Sequence, residues 1–561
     1  MLPEQRTARG LRLSWKYQPL QADDPLTAWT KLLQGRGLSE ADPFFSPRLS
    51  DLPDPGEMQD MPKAAERVAK AILSDEAIHI FGDFDADGVN GTAILLQALR
   101  GAGARVSSSI PHRADDGHGI GIEPVREAIA RGITLGISVD TGTTCFEACA
   151  EARANGFDLI VSDHHLPDHT LPEAFALLNP ARVDCGFAER QLCGTGVAFF
   201  LLMAVWRCLR EAGMQPSFDL KSLLDRVAIA TVADVMDLVG VNRILVYHGL
   251  KQINQQPSVG VKALMQIARV NKMVDAETIG FYLAPRINAA GRMQHGDAAM
   301  QMLSTDDEHE ALSLALELDQ ANTHRRQIEA DVFKQAEAKL NGSHILAVYD
   351  AAWHAGVVGL AAGRLSRQHH RPAAVGFITP DEQIRVSLRG RPGFHVGDLL
   401  QQCSAHLEGF GGHAGAGGGT VCTGAWDAFV SAFGEAVEEQ AKSVGDALIQ
   451  EVDGILGLGA MHAGLAERLE RFEPIGRANP PCQWLIRQVR IIDRRELKGG
   501  VVRLKISDGV RHMDAIVFGA KALDDCIQAG QLVSLIGLLQ QDTWRGHGAV
   551  QFVVKDAIVD Q

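Results

Sequence analysis

The chain has 561 residues, 46% hydrophobic and 22% charged, with a formal net charge of −15. That is the composition of a soluble globular protein with room for several domains of about 100–200 residues. No apolar run approaches the ~18 residues of a membrane span, and the opening "MLPEQRTARGLRLSWKYQ" has no apolar signal core, so neither membrane insertion nor export is expected.

Residues 1–62 read as an N-terminal helical element ending in a Pro-rich linker. From residue 63 strands and helices alternate. "AIHIF" (77–81), "ARVSSSI" (104–110), "LGISVD" (135–140) and "FDLIVSD" (157–163) read as strands with helical segments between them. Alternation of this kind predicts βαβ units and a parallel sheet, placed at 63–270. A helical connector follows at 271–343. Its long helix is expected to start at a capping box, Thr305 with Glu308, and to stop at the Asn341–Gly342 pair. At 1.5 Å per residue this is roughly 50 Å, the scale of a strut between domains. A second α/β region is expected at 344–448. Five short strands in 449–561 suit a small OB-like β-barrel.

Nine scattered cysteines include no C-x-x-C pair, so neither a zinc ribbon nor a disulfide framework is indicated, and a reducing cytosol fits. The acidic balance argues against a general nucleic-acid binder, but basic residues are concentrated. Residues 364–391 hold six Arg against Asp381 and Glu382, and residues 477–511 hold nine Lys and Arg against three acids. Two such islands on an acidic body suit either a polyanion bound locally or solvated faces.

The chemistry is concentrated at strand ends. "GDFDADG" (82–88) places Asp83, Asp85 and Asp87 at alternate positions, which would share a face if the strand continued. An EF-hand is excluded: the twelfth loop position is Ile94, where a bidentate Glu is required. A P-loop is excluded because no G-K-[ST] follows. Asp140 ends the third strand, and Asp163, His164 and His165 end the fourth. In a parallel sheet the carboxyl ends of the strands lie along one ligand-binding edge. Carboxylates with one or two imidazoles suit Mn²⁺, with Mg²⁺ possible, better than zinc. Gly88 and Gly91 are expected to open a helix whose N-terminus faces an anion. "VADVMD" on a helix reads equally as a solvated face, and on residue type alone nothing sets Asp234 above Asp237 or adds it to the set.

The segments "GDFDADG", "SVDTG", "SDHH" and "ATVADV", with "IPHR", "LCGTGVAF" and "APRINAAGRM", resemble the motifs of the DHH phosphoesterase superfamily. Within it the chain is most similar to the bacterial single-strand-specific DNA exonucleases. Thr141 stands where that family usually has Asn. "WHAGVVGLAAGRL", "VSLRGRPGF" and "GGHAGAGGGT" are similar to its DHH-associated domain.

The resemblance implies two ions, one held by Asp83, Asp85 and Asp140, the other by Asp87, Asp140, His164 and Asp234. It implies a catalytic set of Asp85, Asp87, Asp140, His164 and His165, with His165 near the scissile phosphate. Ser387 and Arg389 would hold a 5′ phosphate, with Arg113, Arg286, Arg292 and His413 along the substrate path. The implied activity is 5′ to 3′ degradation of single-stranded DNA to mononucleotides, in recombination and repair, in the bacterial cytoplasm. Implied partners are a single-strand-binding protein and a helicase. The rival readings are a small-substrate phosphoesterase of the same superfamily and a non-catalytic single-strand binder. Trp484 is a candidate for base stacking on the barrel, or barrel core.

Overall fold

Strands Ile78–Phe81 and Leu135–Ser138 are buried at every residue, as the middle of a parallel sheet covered on both faces must be. The sheet has five parallel strands in the order Val106–Ser109, Ile78–Phe81, Leu135–Ser138, Asp158–Ser162, Ala176–Leu178. Helices Ala86–Gly101 and Gly194–Glu211 are buried along most of their length against it. This computed structural model describes residues 6–11, 13–17, 21–111, 119–293, 296–444, 449–498, 500–518, 526–542 and 548–560.

The long helix runs Glu308–Leu340. Its cap is Asp307, not the expected Thr305: the Asp307 carboxylate accepts from the N–H groups of His309 and Glu310 at 2.8 and 2.9 Å. A charged acceptor two residues closer to the helix is the stronger cap, and Thr305 is left to support it by accepting from Asp307 N–H. The helix ends as expected, with Asn341 (φ +44°) and Gly342 (φ +80°) in the left-handed region.

Beyond it lies a mixed five-stranded sheet in the order Leu407–Gly412, Ala416–Val421, Ile384–Arg389, Ala373–Ile378, Leu346–Asp350. Part of the 364–391 basic island serves this region's own packing. Arg364 lies over the Phe333 ring at 4.0 Å and Arg371 pairs with Glu438 at 2.5 Å.

The chain divides into two compact units, Leu49–Gly445 and Met1–Arg48 with Asp446–Gln561. In the second, strands Trp484–Leu497, Val501–Ser507, His512–Phe518, Val550–Val559 and Leu532–Gln541 close into a barrel, since the first pairs with both the second and the last. All five are where the sequence reading placed them. Trp484 is 1% exposed, so it is barrel core and not a stacking platform. Several basic residues of the 477–511 island form ion pairs: Arg494 with Glu496, Arg495 with Asp493, and Arg503 with Asp514.

The N-terminal segment is neither wholly helical nor a separate element. Arg6–Arg9 and Ser14–Tyr17 form a hairpin, Ser14–Tyr17 pairs with Ile449–Glu451, and Gln21–Ala22 pairs with Gly454–Leu456. The buried Asp556 carboxylate accepts from Leu13 N–H at 2.8 Å and Trp15 Nε1–H at 2.9 Å. Helix Pro25–Gly35 then buries Trp29 in an aromatic cluster with Phe45 and Phe472. These pairings span more than 400 positions of sequence, which no local periodicity records.

Cutting the chain at residue 449 should therefore leave Trp15 and Trp29 without their cover. A fragment of residues 49–445 is expected to unfold cooperatively in urea, whereas residues 1–445 should aggregate or show a second, weakly protected phase in hydrogen exchange. Equal behaviour of the two fragments would refute this division.

Candidate metal centre

The sheet's register delivers the acids to one edge. Ladder hydrogen bonds continue past the regular strands: Val139 N–H to Phe81 O, Asp140 N–H to Ser162 O, and Asp163 N–H to Leu178 O, each 2.9 Å. Asp140 is thereby held at φ +62°, a left-handed conformation that is uncommon outside glycine and best tolerated by Asp and Asn. Gly194 is needed beside it, because a Cβ there would come within 2.6 Å of the Asp140 Cβ.

The three aspartates of the first motif do not share a strand face. The strand ends at Phe81 and a helix starts at Ala86, because Asp85 caps it: Asp85 Oδ1 accepts from Asp87 N–H at 2.8 Å and Gly88 N–H at 3.1 Å. Ala86 N–H donates to Asn288 Oδ1 at 2.8 Å. The first N–H groups of this helix are thus taken by protein oxygens, and the expected anion site at its N-terminus is not there. Gly88 and Gly91 allow close packing instead, against Asp83 and Val139. Asp87 is in turn held by the start of another helix, Gly194–Glu211. It accepts from Gly194 N–H at 2.6 Å and Thr195 N–H at 2.8 Å.

Three groups of ligand-type atoms result, each within 4.8 Å of one another: Asp83, Asp85 and Asp140; Asp87, His164 and Asp234; and Asp140, His164 and His165. His164 Nε2 lies 3.0 Å from Asp140 Oδ1, 3.5 Å from Asp234 Oδ2 and 3.8 Å from Asp87 Oδ2. Asp234, the C-cap of helix Leu224–Ala233, enters these groups and Asp237 does not.

Burial, and then the charges of Asp87, Asp85, Asp83 and Asp163, push the Asp140 carboxyl well above its ordinary range. Burial also lowers His164, against the upward pull of Asp87, which favours the neutral imidazole that a metal needs. Asp140 Oδ1 is buried and accepts no hydrogen bond among the described residues, despite His164 Nε2 nearby. A crowded, partly buried set of carboxylate oxygens with the imidazoles of His164 and His165 fits hard divalent cations; it has no thiolate of the kind structural zinc prefers.

Asp163, left out of the expected ligand set, organises this edge. It accepts from Thr143 N–H (2.8 Å), His164 N–H (2.7 Å) and His165 Nδ1 (2.8 Å). Burial would raise its pKa, but the His165 hydrogen bond and charge, with His164 and Thr143, carry it well below the ordinary value. The same hydrogen bond lifts His165 to about 9. Asn288, Gly194 and Thr195 were also unassigned. Their signal was present in "APRINAAGRM" and "LCGTGVAF", where a polar residue and glycines interrupt apolar runs.

The expected substrate residues are distributed unevenly. Ser387 and Arg389 share one face of strand Ile384–Arg389, over Gly359 of helix Ala355–His369, where a Cβ would lie 2.9 Å from Arg389 Nη2. The His413 turn adjoins them, through Gly390 N–H to Gly415 O at 3.0 Å. His413 Nδ1 accepts from Gly415 N–H at 3.2 Å. Arg292 donates to Gly356 O at 3.1 Å. Arg286 pairs with Asp319 of the long helix at 2.8 Å, a bracing contact that the sequence reading did not foresee. Arg113 lies outside the described residues.

The fold and the acidic edge are those of a DHH-type phosphoesterase. The DHH family N-terminal domain matches residues 77–231, the DHHA1 domain residues 342–439 and the RecJ OB domain residues 452–556. The chain belongs to the RecJ family. It is 31% identical over 570 residues to the single-stranded-DNA-specific exonuclease RecJ of Bacillus subtilis (strain 168), covering 100% of this chain and 70% of that protein. It is 35% identical over 527 residues to the single-stranded-DNA-specific exonuclease RecJ of Escherichia coli (strain K12), covering 88% of this chain and 89% of that protein. Among solved structures it resembles RecJ from Thermus thermophilus in complex with Mn²⁺, with a TM-score of 0.80 at 26% identity, covering 98% of this chain and 80% of that one. The Mg²⁺ complex of that protein gives a TM-score of 0.73 at 25% identity, covering 98% and 78%.

Two outcomes follow from the electrostatics. Asp140→Asn keeps the left-handed residue but removes the repelling charge. It should raise the thermal midpoint of the metal-free chain and abolish the rise that Mn²⁺ gives the parent protein, read by differential scanning fluorimetry. Asp163→Asn should return His165 from about 9 toward its ordinary value in an NMR titration without metal. Because the folded value is raised, the stability from this pair is present below pH ~6.5 and fades as pH rises through about 9; the variant should lack that fade.

Proposed function

We propose that this chain is a divalent-metal-dependent exonuclease that degrades single-stranded DNA from its 5′ end to mononucleotides. The observation that carries the reading is the buried Asp140, shared between two ligand groups at the sheet edge, in a chain of this family. Mn²⁺ is the proposed cofactor and Mg²⁺ the alternative. One ion would be held by Asp83, Asp85 and Asp140, the other by Asp87, Asp140, His164 and Asp234. Such ions supply Lewis-acid charge at the phosphate and ease deprotonation of an attacking water.

The chain's own residues do the rest. Asp163 fixes His165 through Nδ1, which keeps Nε2 for a phosphate oxygen. The helix N–H groups on Asp87 and the cap geometry of Asp85 hold both carboxylates in place before substrate arrives. Ser387 and Arg389, adjoining the His413 turn, are the proposed 5′-phosphate pocket, since a guanidinium fork and a hydroxyl match phosphate oxygens. Arg292 is proposed to line the path to it.

The barrel is proposed to track the single strand by charge. It is also why a polymer is favoured over a small diester as substrate. A helicase and a single-strand-binding protein are the proposed partners, because an enzyme of this specificity needs single strand to be unwound and meets it coated. No helix among the described residues is long and apolar enough to cross a membrane. A place in bacterial recombination and repair, in the cytoplasm, is the proposed setting.

The test uses single-stranded DNA labelled at either end, with Mn²⁺. Labelled mononucleotide should appear first from the 5′ label, and Asp140→Ala should reduce turnover at least about a thousandfold, as loss of a shared ligand entails. Release from the 3′ label first, or a full rate in Asp140→Ala, would overturn the proposal.

A further inference from the structure

The fifth strand of the parallel sheet, Ala176–Leu178, brings no acid to the edge. It brings an amide instead. The ladder bond from Asp163 N–H to Leu178 O sets the next residue, Asn179, beside the turn that carries His164 and His165. Asn179 is 0% exposed, and each polar group of its side chain is answered. Oδ1 accepts from Ala181 N–H at 2.8 Å. Nδ2 donates to His165 O at 2.8 Å and to Thr143 Oγ1 at 2.9 Å.

The two ends of this amide do different things. A side-chain oxygen accepting from the N–H two residues on makes an ordinary turn, and Asp makes that turn as well as Asn. The turn needs nothing from the amino group. Both of its donors go to segments 14 and 36 residues away. A backbone carbonyl only accepts, so a donor is required opposite His165 O, and a carboxylate there would repel it. Asn at this position therefore serves the His165 turn as well as the local chain.

His165 needs such a hold. Residues 163–175 form no helix or strand, and Leu166, Asp168, His169 and Thr170 are exposed. The His165 side chain is itself 61% exposed. Asp163 takes its imidazole at Nδ1 and accepts from its backbone N–H at 3.2 Å. The carbonyl, where the chain leaves for the exposed run, is held by Asn179. Thr143 is a fixed post for the amide: it is 1% exposed, and its own N–H is bonded to Asp163 at 2.8 Å. With the carbonyl released, the peptide after His165 would turn with the exposed run and carry the ring's direction with it.

We propose that Asn179 is a positioning residue for the exonuclease reaction and that it acts through His165. Its amide locks the peptide after His165, so the imidazole meets the scissile phosphate in one orientation. Among the described residues its side-chain hydrogen bonds reach none of the expected metal ligands. The inference rests on the proposed single-strand exonuclease reading and on the place of His165 in it.

The test measures kcat and KM on 5′-phosphorylated single-stranded DNA with Mn²⁺, and beside them the rise in thermal midpoint that Mn²⁺ gives. Asn179→Asp keeps the turn oxygen and loses both donors. It should lower kcat at least about tenfold, the usual cost of losing a residue that orients a group at a metal site. KM should stay within about twofold, and the Mn²⁺-induced rise should match the parent's. The deciding measurement is a double-mutant cycle at enzyme excess, where slow turnover can be followed. In a His165→Ala background Asn179→Asp should cost less than about twofold, since the group it positions is gone. If Asn179→Asp fails to fold, Thr143→Val decides. It is nearly isosteric, keeps the backbone N–H on Asp163, and removes the oxygen that fixes the amide. It should lower kcat about threefold, the share of one hydrogen bond, and only where His165 is present. A parent-like kcat in a folded variant, a loss undiminished without His165, or a lost Mn²⁺ response would overturn the positioning role and leave the exonuclease reading intact. A parent protein that releases no mononucleotide from single strand would overturn that reading first, and this one with it.

Discussion

Like charges forced together out of water are the constraint around which the rest of this structure is arranged. Asp87, Asp140 and Asp163 are almost wholly buried, and Asp83, Asp85 and Asp234 crowd the same edge. Charges that repel at these separations need compensation from dipoles, hydrogen bonds or cations. The fold supplies the first two unevenly. Asp87 has two helix N–H groups, Asp85 caps its own helix, and Asp163 has three N–H donors and the imidazole of His165. Asp140 has none of these on Oδ1. Uncompensated charge therefore remains on Asp140, the carboxylate common to two ligand groups, where cations would do the most.

Close approach is the second consequence. Asp140 sits in a left-handed conformation with Gly194 against its Cβ, and Gly88 and Gly291 let backbone from other segments reach Asp83 and Phe84. Side chains at these glycines would spread the acids apart. Packing on the edge's outer side passes through Asn288 and helix Ala284–Met293 to Asp319 on the strut.

Much of the molecule was legible beforehand. The three strands ending at the acids, the long helix and the five barrel strands were all visible as local patterns of burial and punctuation. The metal-edge residues at strand ends were found because acids at the carboxyl ends of parallel strands must share an edge, whereas Asp234, at a helix end, was reached only through the family resemblance. Where local reasoning failed, a stronger local competitor was at work. Asp307 displaced Thr305 as a cap, and Asp85 broke the strand that would have aligned three carboxylates. Asp163 was passed over as a positioning residue because its role is made of backbone donors brought from Thr143 and from its own turn.

By itself, the amino-acid sequence determined the elements, the identity of the acids and the class of ion they suit, because these depend on periodicity, residue type and strand order. Only the tertiary structure decided which acids meet. It brought Asp234, which residue type could not tell from Asp237, beside Asp87 and His164, gave Arg286 to Asp319, buried Trp484 in the barrel, and joined the first residues to the last domain through Ser14–Tyr17 and Asp556. The reason is range. A turn or a cap is settled within a few residues, whereas these contacts join positions tens to hundreds apart, and their partners are selected by the packing of whole elements.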